Sequence, residues 1–147
     1  MIETQLEQDI KTAMLAGDKE RVLTLRTLKS VLLSAKVAGG TRDDVLPDTE
    51  VIALLSKEAK KRQESADLYK QGGNNVKAEA ELSEKAIIET YLPAQLSEAE
   101  ISVIIDEVLA AMGDKAALGP VIGHVKAKTN GAADGALIAK LVKEKLI

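Results

Sequence analysis

The chain has 147 residues, 46% of them hydrophobic, with 20 basic residues against 23 acidic ones and a formal net charge of −3. A chain of this length removes roughly 68–70% of its unfolded surface from water on folding, so a core without covalent staples is within reach. Cysteine is absent and histidine occurs once, which excludes disulfides and cysteine-ligated metals and leaves histidine-based metal or triad chemistry without its parts.

There is no Trp or Phe, and two tyrosines, Tyr69 and Tyr91, are the aromatic complement. The core must come from Leu, Ile, Val, Ala and Met packed along helix stripes. Ile2, Leu6, Ile10 and Met14 draw such a stripe along a first helix. Gly17 suits a left-handed cap at its end, and Asp18 suits the cap of the next helix. Val22, Leu25, Leu28, Leu32 and Ala35 stripe that second helix until Gly39-Gly40.

A polar loop from Thr41 to Pro47 follows, with Asp48 expected to cap a long third helix that buries Ile52, Leu55, Ala59, Ala66 and Tyr69. Gly72-Gly73-Asn74-Asn75 breaks it, with Asn75 the expected cap of a fourth helix from about Val76 to Tyr91, through Ala80, Ile87 and Ile88. Pro93 ends that helix, since the residue before a proline is pushed out of helical geometry.

Ser97-Glu98-Ala99-Glu100 reads as a capping box opening a fifth helix with Ile101, Ile104, Ile105, Val108 and Met112, closed by Gly113. Pro120 fits the first turn of a sixth, carrying Val121, Ile122 and Val125 and ended by Asn130-Gly131. Asp134 is expected to cap the last helix, with Leu137, Leu141 and either Ile138 or Val142 on its apolar side. The expected fold is all-α: an N-terminal four-helix subdomain over 1–92, a hinge at 93–96, and a C-terminal three-helix bundle over 97–147.

The opening Met1-Ile2-Glu3, followed by Glu7 and Asp9, is too acidic for a secretory signal. No apolar run approaches the ~20 residues of a membrane span. A cytoplasmic protein with no membrane partner is the expectation.

Charge is unevenly distributed. From Lys19 to Arg42, six basic residues face Glu20 alone until the loop, and from Gly119 onward Lys126, Lys128, Lys140, Lys143 and Lys145 face Asp134 and Glu144. Two basic segments on a mildly acidic body suit either phosphate contacts or ordinary solvated faces. Carboxylate pairs such as Asp106 with Glu107, or Glu81 with Glu84, sit on charged helix faces without the contrasting environments that acid–base work needs. His124 has no partner in its turn, and Gly113, Gly119 and Gly123 lack the strand and Gly-Lys-Ser/Thr of a phosphate loop. No catalytic residue, metal site or cofactor is expected. The segment Asn130-Gly131-Ala132-Ala133-Asp134-Gly135 admits two readings: a tight helix–helix connection, or a helix start whose N–H groups, with Lys126 and Lys128 nearby, meet a phosphate.

Leu25-Arg26-Thr27-Leu28-Lys29-Ser30, Lys60-Lys61-Arg62-Gln63-Glu64-Ser65 and Tyr91-Leu92-Pro93-Ala94-Gln95-Leu96-Ser97 resemble the GatB/YqeY family. So do Gly119-Pro120-Val121-Ile122 through Lys128, Gly131-Ala132-Ala133-Asp134-Gly135, and Leu141-Val142-Lys143-Glu144. The ordered set covers essentially the whole chain. The resemblance implies a free-standing protein of the YqeY type whose C-terminal half is similar to the tail domain of the GatB component of aminoacyl-tRNA amidotransferase. It further implies partnership with tRNA or a tRNA-amidation complex, and a grouping with carbon–nitrogen ligases that use glutamine as amido donor. The cradle domain and the amidase serine–lysine machinery of that enzyme are absent. Pro120 stands where the family often has Lys, and Ala132 where it often has Arg. The RNA-facing candidates are therefore Lys126, Lys128, Lys140 and Lys143 around Gly131, Asp134 and Gly135. A helical protein–protein adaptor without an RNA role is the alternative, as is a component of a carbon–nitrogen ligase.

Overall fold

The computed structural model describes residues 1–146; Ile147, the last residue of the expected C-terminal subdomain, lies outside them. Seven α-helices follow one another: α1 (Ile2–Ala16), α2 (Lys19–Ala38), α3 (Asp48–Gln71), α4 (Asn75–Glu89), α5 (Glu98–Met112), α6 (Leu118–Thr129) and α7 (Gly135–Leu146). A 3-10 turn, Gly113–Lys115, sits between α5 and α6. No strand occurs among the described residues, so the chain is all-α as expected. It divides into two compact units, Met1–Leu92 and Pro93–Ile147.

In the first unit, Leu6 and Ile10 of α1 pack with Leu25, Leu28 and Leu32 of α2, Val51 and Leu55 of α3, and Ile88 of α4. Local signals set the helix ends. Gly17 takes φ 71°, and its N–H and that of Asp18 return to carbonyls at the end of α1. The Asp18 carboxylate accepts from the Arg21 N–H at 3.1 Å, capping α2.

Several expected positions shift by one or two residues. Met14 is 53% exposed, and Ala13 takes its place in the core. A four-residue spacing advances about 40° beyond a full turn at each step, so the third step leaves the stripe by about 120°. Val51 is buried where Ile52 was expected, and Tyr69 is half-buried. Asn74 caps α4 in place of Asn75, accepting from the Lys77 N–H at 3.1 Å, and Ala78 replaces Ala80 in the buried set.

Asp48 does not cap α3; Pro47 stands at that cap and offers no side-chain bond. The Asp48 carboxylate instead accepts from the Ile2 N–H at 2.9 Å, satisfying an amide that opens α1. Beside it, Glu3 accepts from Lys36 Nζ and from the Leu46 N–H (2.8 Å). These bonds tie α1 to α2, to the loop and to the start of α3.

The Glu3–Lys36 contact is one end of an antiparallel ladder. Glu7 pairs with Lys29 at 3.7 Å, and Asp9 accepts from the Tyr91 phenol, which Arg21 also faces. Acids 3, 7 and 9 ascend α1 while cations 36, 29 and 21 descend α2. Burial first, then the Asp9 bond and its charge, pushes the Tyr91 phenol above its ordinary range.

Beyond Ala59 the buried positions of α3 thin to Ala66, which with Ala78 lets α3 and α4 approach closely. Arg62 sits among Glu58 (3.8 Å), Glu81 (3.6 Å) and Glu84 (3.3 Å). Burial, with the like charges of Glu81 and Glu20, pushes the Glu84 carboxyl above its ordinary value against the pull of Arg62.

The second unit has a core of Ile101, Ile105 and Val108 (α5), Val121 and Val125 (α6), and Ile138 and Val142 (α7). Of the α7 pair between which the sequence did not choose, both residues are fully buried, while Leu137 and Leu141 are partly so. All seven core side chains are β-branched. Their stiff χ1 angles limit the loss of rotamer freedom on packing. Ser97 caps α5, accepting from the Glu100 N–H at 3.2 Å, and its hydroxyl donates to the Glu100 carboxylate.

Burial works to raise the Glu3 pKa, but the Lys36 bond, the Leu46 amide and the charges of Lys36 and Lys29 outweigh it and hold the carboxyl below 4.5. Its contribution to stability is therefore complete above that unfolded value and is lost as pH falls through the lower folded value. Both side chains of the pair are less than 15% exposed, so breaking it alone should cost about 3 kcal/mol. In urea melts, Glu3→Ala and Lys36→Met are each expected to lower stability by that order at pH 7. The double variant should lose less than the sum, and Glu3→Ala should flatten the decline of stability below pH 4.5.

Candidate functional site

The C-terminal loop and its lysines, which the sequence singles out, lie wholly within the second unit. Thr129 ends α6 as a buried residue, and its hydroxyl donates to the Lys126 carbonyl at 3.1 Å. Asn130 then takes φ 44°, with its N–H on the same carbonyl, and Gly131 takes φ 86°. Two successive left-handed residues reverse the chain within the few residues available before α7.

The loop also holds the segment that leads into α5. The Leu96 N–H donates to the Ala132 carbonyl at 2.8 Å, and Gln95 Nε2 reaches the Gly131 carbonyl at 3.4 Å. Ala132 is itself buried. Gly131 thus has structural work in which phosphate plays no part. Nothing in the sequence announces this tie, because Gln95 and Gly131 lie 36 positions apart.

The four candidate lysines do not converge. On α6 the buried line runs through Val121, Val125 and Thr129. At 100° per residue, Lys126 and Lys128 fall on opposite flanks of it. Lys128 turns to α5, where its Nζ lies 3.8 Å from Glu107. Both partners are about half exposed, so this pair contributes at most ~1 kcal/mol.

Lys126 turns to α7. Its Cε and Nζ lie 3.0 and 3.1 Å from where a Cβ on Gly135 would stand. The ammonium therefore lies over the first residue of α7, a place open because residue 135 has no side chain. Asp134 immediately precedes the helix, and its carbonyl accepts from the Ile138 N–H. Lys140 and Lys143 are exposed and project from α7 away from Ile138 and Val142. Lys145 pairs with Asp106 of α5 at 2.8 Å.

The structure therefore brings Lys126 and Gly135 together, leaves Lys140 and Lys143 on the outer side of α7, and withdraws Lys128. In the first unit, Lys29 and Lys36 are engaged with α1 carboxylates and Arg21 with the Asp9–Tyr91 pair. Much of that basic segment is thus an interhelical ladder. No group of three or more His, Cys, Asp or Glu side chains is placed to hold a metal among the described residues. No helix among them is long and apolar enough to cross a membrane.

The chain belongs to the YqeY-like family, whose family model, described as Yqey-like protein, matches residues 3–146. Among curated proteins it is similar to altered inheritance of mitochondria protein 41 of Eremothecium gossypii, 30% identical over 109 residues. That match takes in 74% of the chain and 55% of the relative, so it spans little more than half of that protein's length. The protein of the same name from Pyrenophora tritici-repentis is 23% identical over 145 residues, 95% of this chain and 78% of the relative. Both relatives are named as mitochondrial, which overturns the cytoplasmic assignment expected from composition. Composition separates reducing from oxidising compartments through cysteine and does not distinguish the cytosol from an organelle interior.

Two glycine substitutions separate structure from ligand contact here. Gly131→Ala should cost about 1 kcal/mol, because φ 86° is strained for a residue with a Cβ. Gly135→Ala should leave the melting temperature unchanged or raised, since the atoms in its way are the far end of a flexible lysine. Thermal melts of the two variants check the contrast.

Proposed function

We propose that the chain is a non-catalytic accessory module that contacts tRNA, alone or within a tRNA-amidation complex, through the α6–α7 side of its second unit. The observation that carries this reading is the disposition of Lys126, Lys140 and Lys143. Lys126 lies over the start of α7, where helix N–H groups favour an anion. Lys140 and Lys143 stand exposed along the same helix and pair with no carboxylate among the described residues. The three span about 12 Å of α7 at 1.5 Å per residue.

Three ammonium groups without aromatic neighbours suit phosphate contact rather than base reading. With no Trp or Phe in the chain, stacking platforms for single strands are not available, so duplex shape and backbone must dominate. Similarity of this half to the tail domain of the amidotransferase supports tRNA as the nucleic acid. Ligase chemistry, in this reading, belongs to whatever the module joins, because the chain assembles no nucleophile of its own.

Binding of labelled total tRNA across a salt series tests the reading. The wild type should bind at low salt. Lys126→Ala/Lys140→Ala/Lys143→Ala should weaken binding and flatten the salt slope by about one for each lysine engaged, while Lys128→Ala has a smaller effect. Absence of binding by the wild type at low salt would remove the tRNA reading.

A further inference from the structure

The outer side of the α1–α2 hairpin carries a feature that the ladder does not use. A cleft of about 450 Å3 opens between the end of α1 and the start of α2, with Ala13, Met14, Val22 and Leu23 as its apolar surface and Lys19 and Arg26 at its edges. That volume falls in the range of ligand-sized pockets. The chain turns beneath it at Gly17 and Asp18, and the Asp18 carboxylate is already engaged in capping α2.

The apolar side chains here are conspicuously uncovered. Met14 is 53% and Leu23 66% exposed. Farther along α2, Leu33 and Val37 are 44% and 57% exposed. Leu23 and Val37 stand about 21 Å apart along the helix, roughly four turns. On α2 the buried residues are Thr24, Leu25, Leu28 and Leu32. Leu23, Leu33 and Val37 lie on the opposite half of the helix, with Arg26 and Ser30 on that face between Leu23 and Leu33. Exposed apolar side chains grouped at a cleft mark an interaction site.

The charges beside the cleft choose the occupant. Of the five cations on α2, Arg21, Lys29 and Lys36 serve the contacts with α1 and Tyr91. The other two, Lys19 and Arg26, pair with no carboxylate among the described residues, and both border the cleft. Arg26 Nη2 rests 3.6 Å from the Met14 sulfur, a weak acceptor that a carboxylate readily displaces.

We infer that the α1–α2 cleft and the outer face of α2 form the docking site for an amphipathic helix of a partner protein, with apolar residues at three- and four-residue spacing and carboxylates beside them. The exposed apolar side chains supply the area, and Lys19 and Arg26 fix the direction by which the acidic residues approach. This surface lies in the first unit and is independent of the lysines proposed to meet RNA.

The test uses the full chain and a labelled 18-residue helical peptide with leucines at positions i, i+4, i+7 and i+11 flanked by glutamates, alongside the same peptide with lysines for glutamates. Fluorescence anisotropy should show the acidic peptide binding and the basic one not. Leu23→Ser should weaken binding about tenfold or more. Lys19→Glu/Arg26→Glu should abolish binding of the acidic peptide and confer binding of the basic one. Leu23, Lys19 and Arg26 are all exposed, so the variants should keep the wild-type melting curve. Lys126→Ala/Lys140→Ala/Lys143→Ala should leave peptide binding unchanged. Failure of the acidic peptide to bind up to about 1 mM, equal binding by wild type and variants, or preference for anionic lipid vesicles or for self-association would each overturn the inference.

Discussion

The contact on which the first unit depends is Glu3 with Lys36, at the open end of the α1–α2 hairpin. It is reinforced by the bonds from Leu46 N–H to Glu3 and from Ile2 N–H to Asp48. A partly buried ion pair is a weak source of net stability but a strong arbiter of register, because misplacing one partner strands the other's charge. Once Glu3 meets Lys36, the antiparallel run brings Glu7 to Lys29, and Leu6 and Ile10 to the Leu25–Leu28–Leu32 stripe. The loop carrying Leu46 and the start of α3 are fixed by the same contact.

That register also decides which cations remain for function. A basic stretch beginning at Lys19 has the composition of a nucleic-acid patch, and folding spends its inner members on α1. What stays outward is the pair Lys19 and Arg26, set beside apolar rather than polar neighbours. In the second unit the sorting is different. Lys128 and Lys145 go to the acids of α5, while Lys126, Lys140 and Lys143 stay exposed. The two units thus present distinct surfaces, one basic and polar, the other apolar with a basic edge.

The features legible in the sequence were those decided within one turn of chain. Gly17, Asp18, Ser97 and Asn130 end or begin helices through bonds to residues three or four positions away, and all four do so in the structure. The all-helical class followed from periodicity in the same way. What could not be read depends on partners distant in the chain. Ala13 replaces Met14 and Val51 replaces Ile52 because the face a helix buries is set by its neighbours, and neighbouring phases of a stripe look alike in sequence. Asp48 caps α1 rather than its own helix because the Ile2 amide arrives from 46 residues away. The sequence offers the candidate lysines together, but that Lys126 turns to Gly135 and Lys128 to Glu107 follows from where α5 and α7 lie.

Residue-resolved lysine methylation, read by mass spectrometry with and without bound tRNA, tests most directly the claim that Lys29 and Lys36 serve α1 while Lys126, Lys140 and Lys143 are the lysines proposed to meet RNA. Free protein should react slowly at Lys36 and rapidly at Lys126, Lys140 and Lys143, and tRNA should protect those three while leaving Lys29 unchanged. Protection of Lys29 and Lys36 by tRNA, with the α6 and α7 lysines still reactive, would contradict the account.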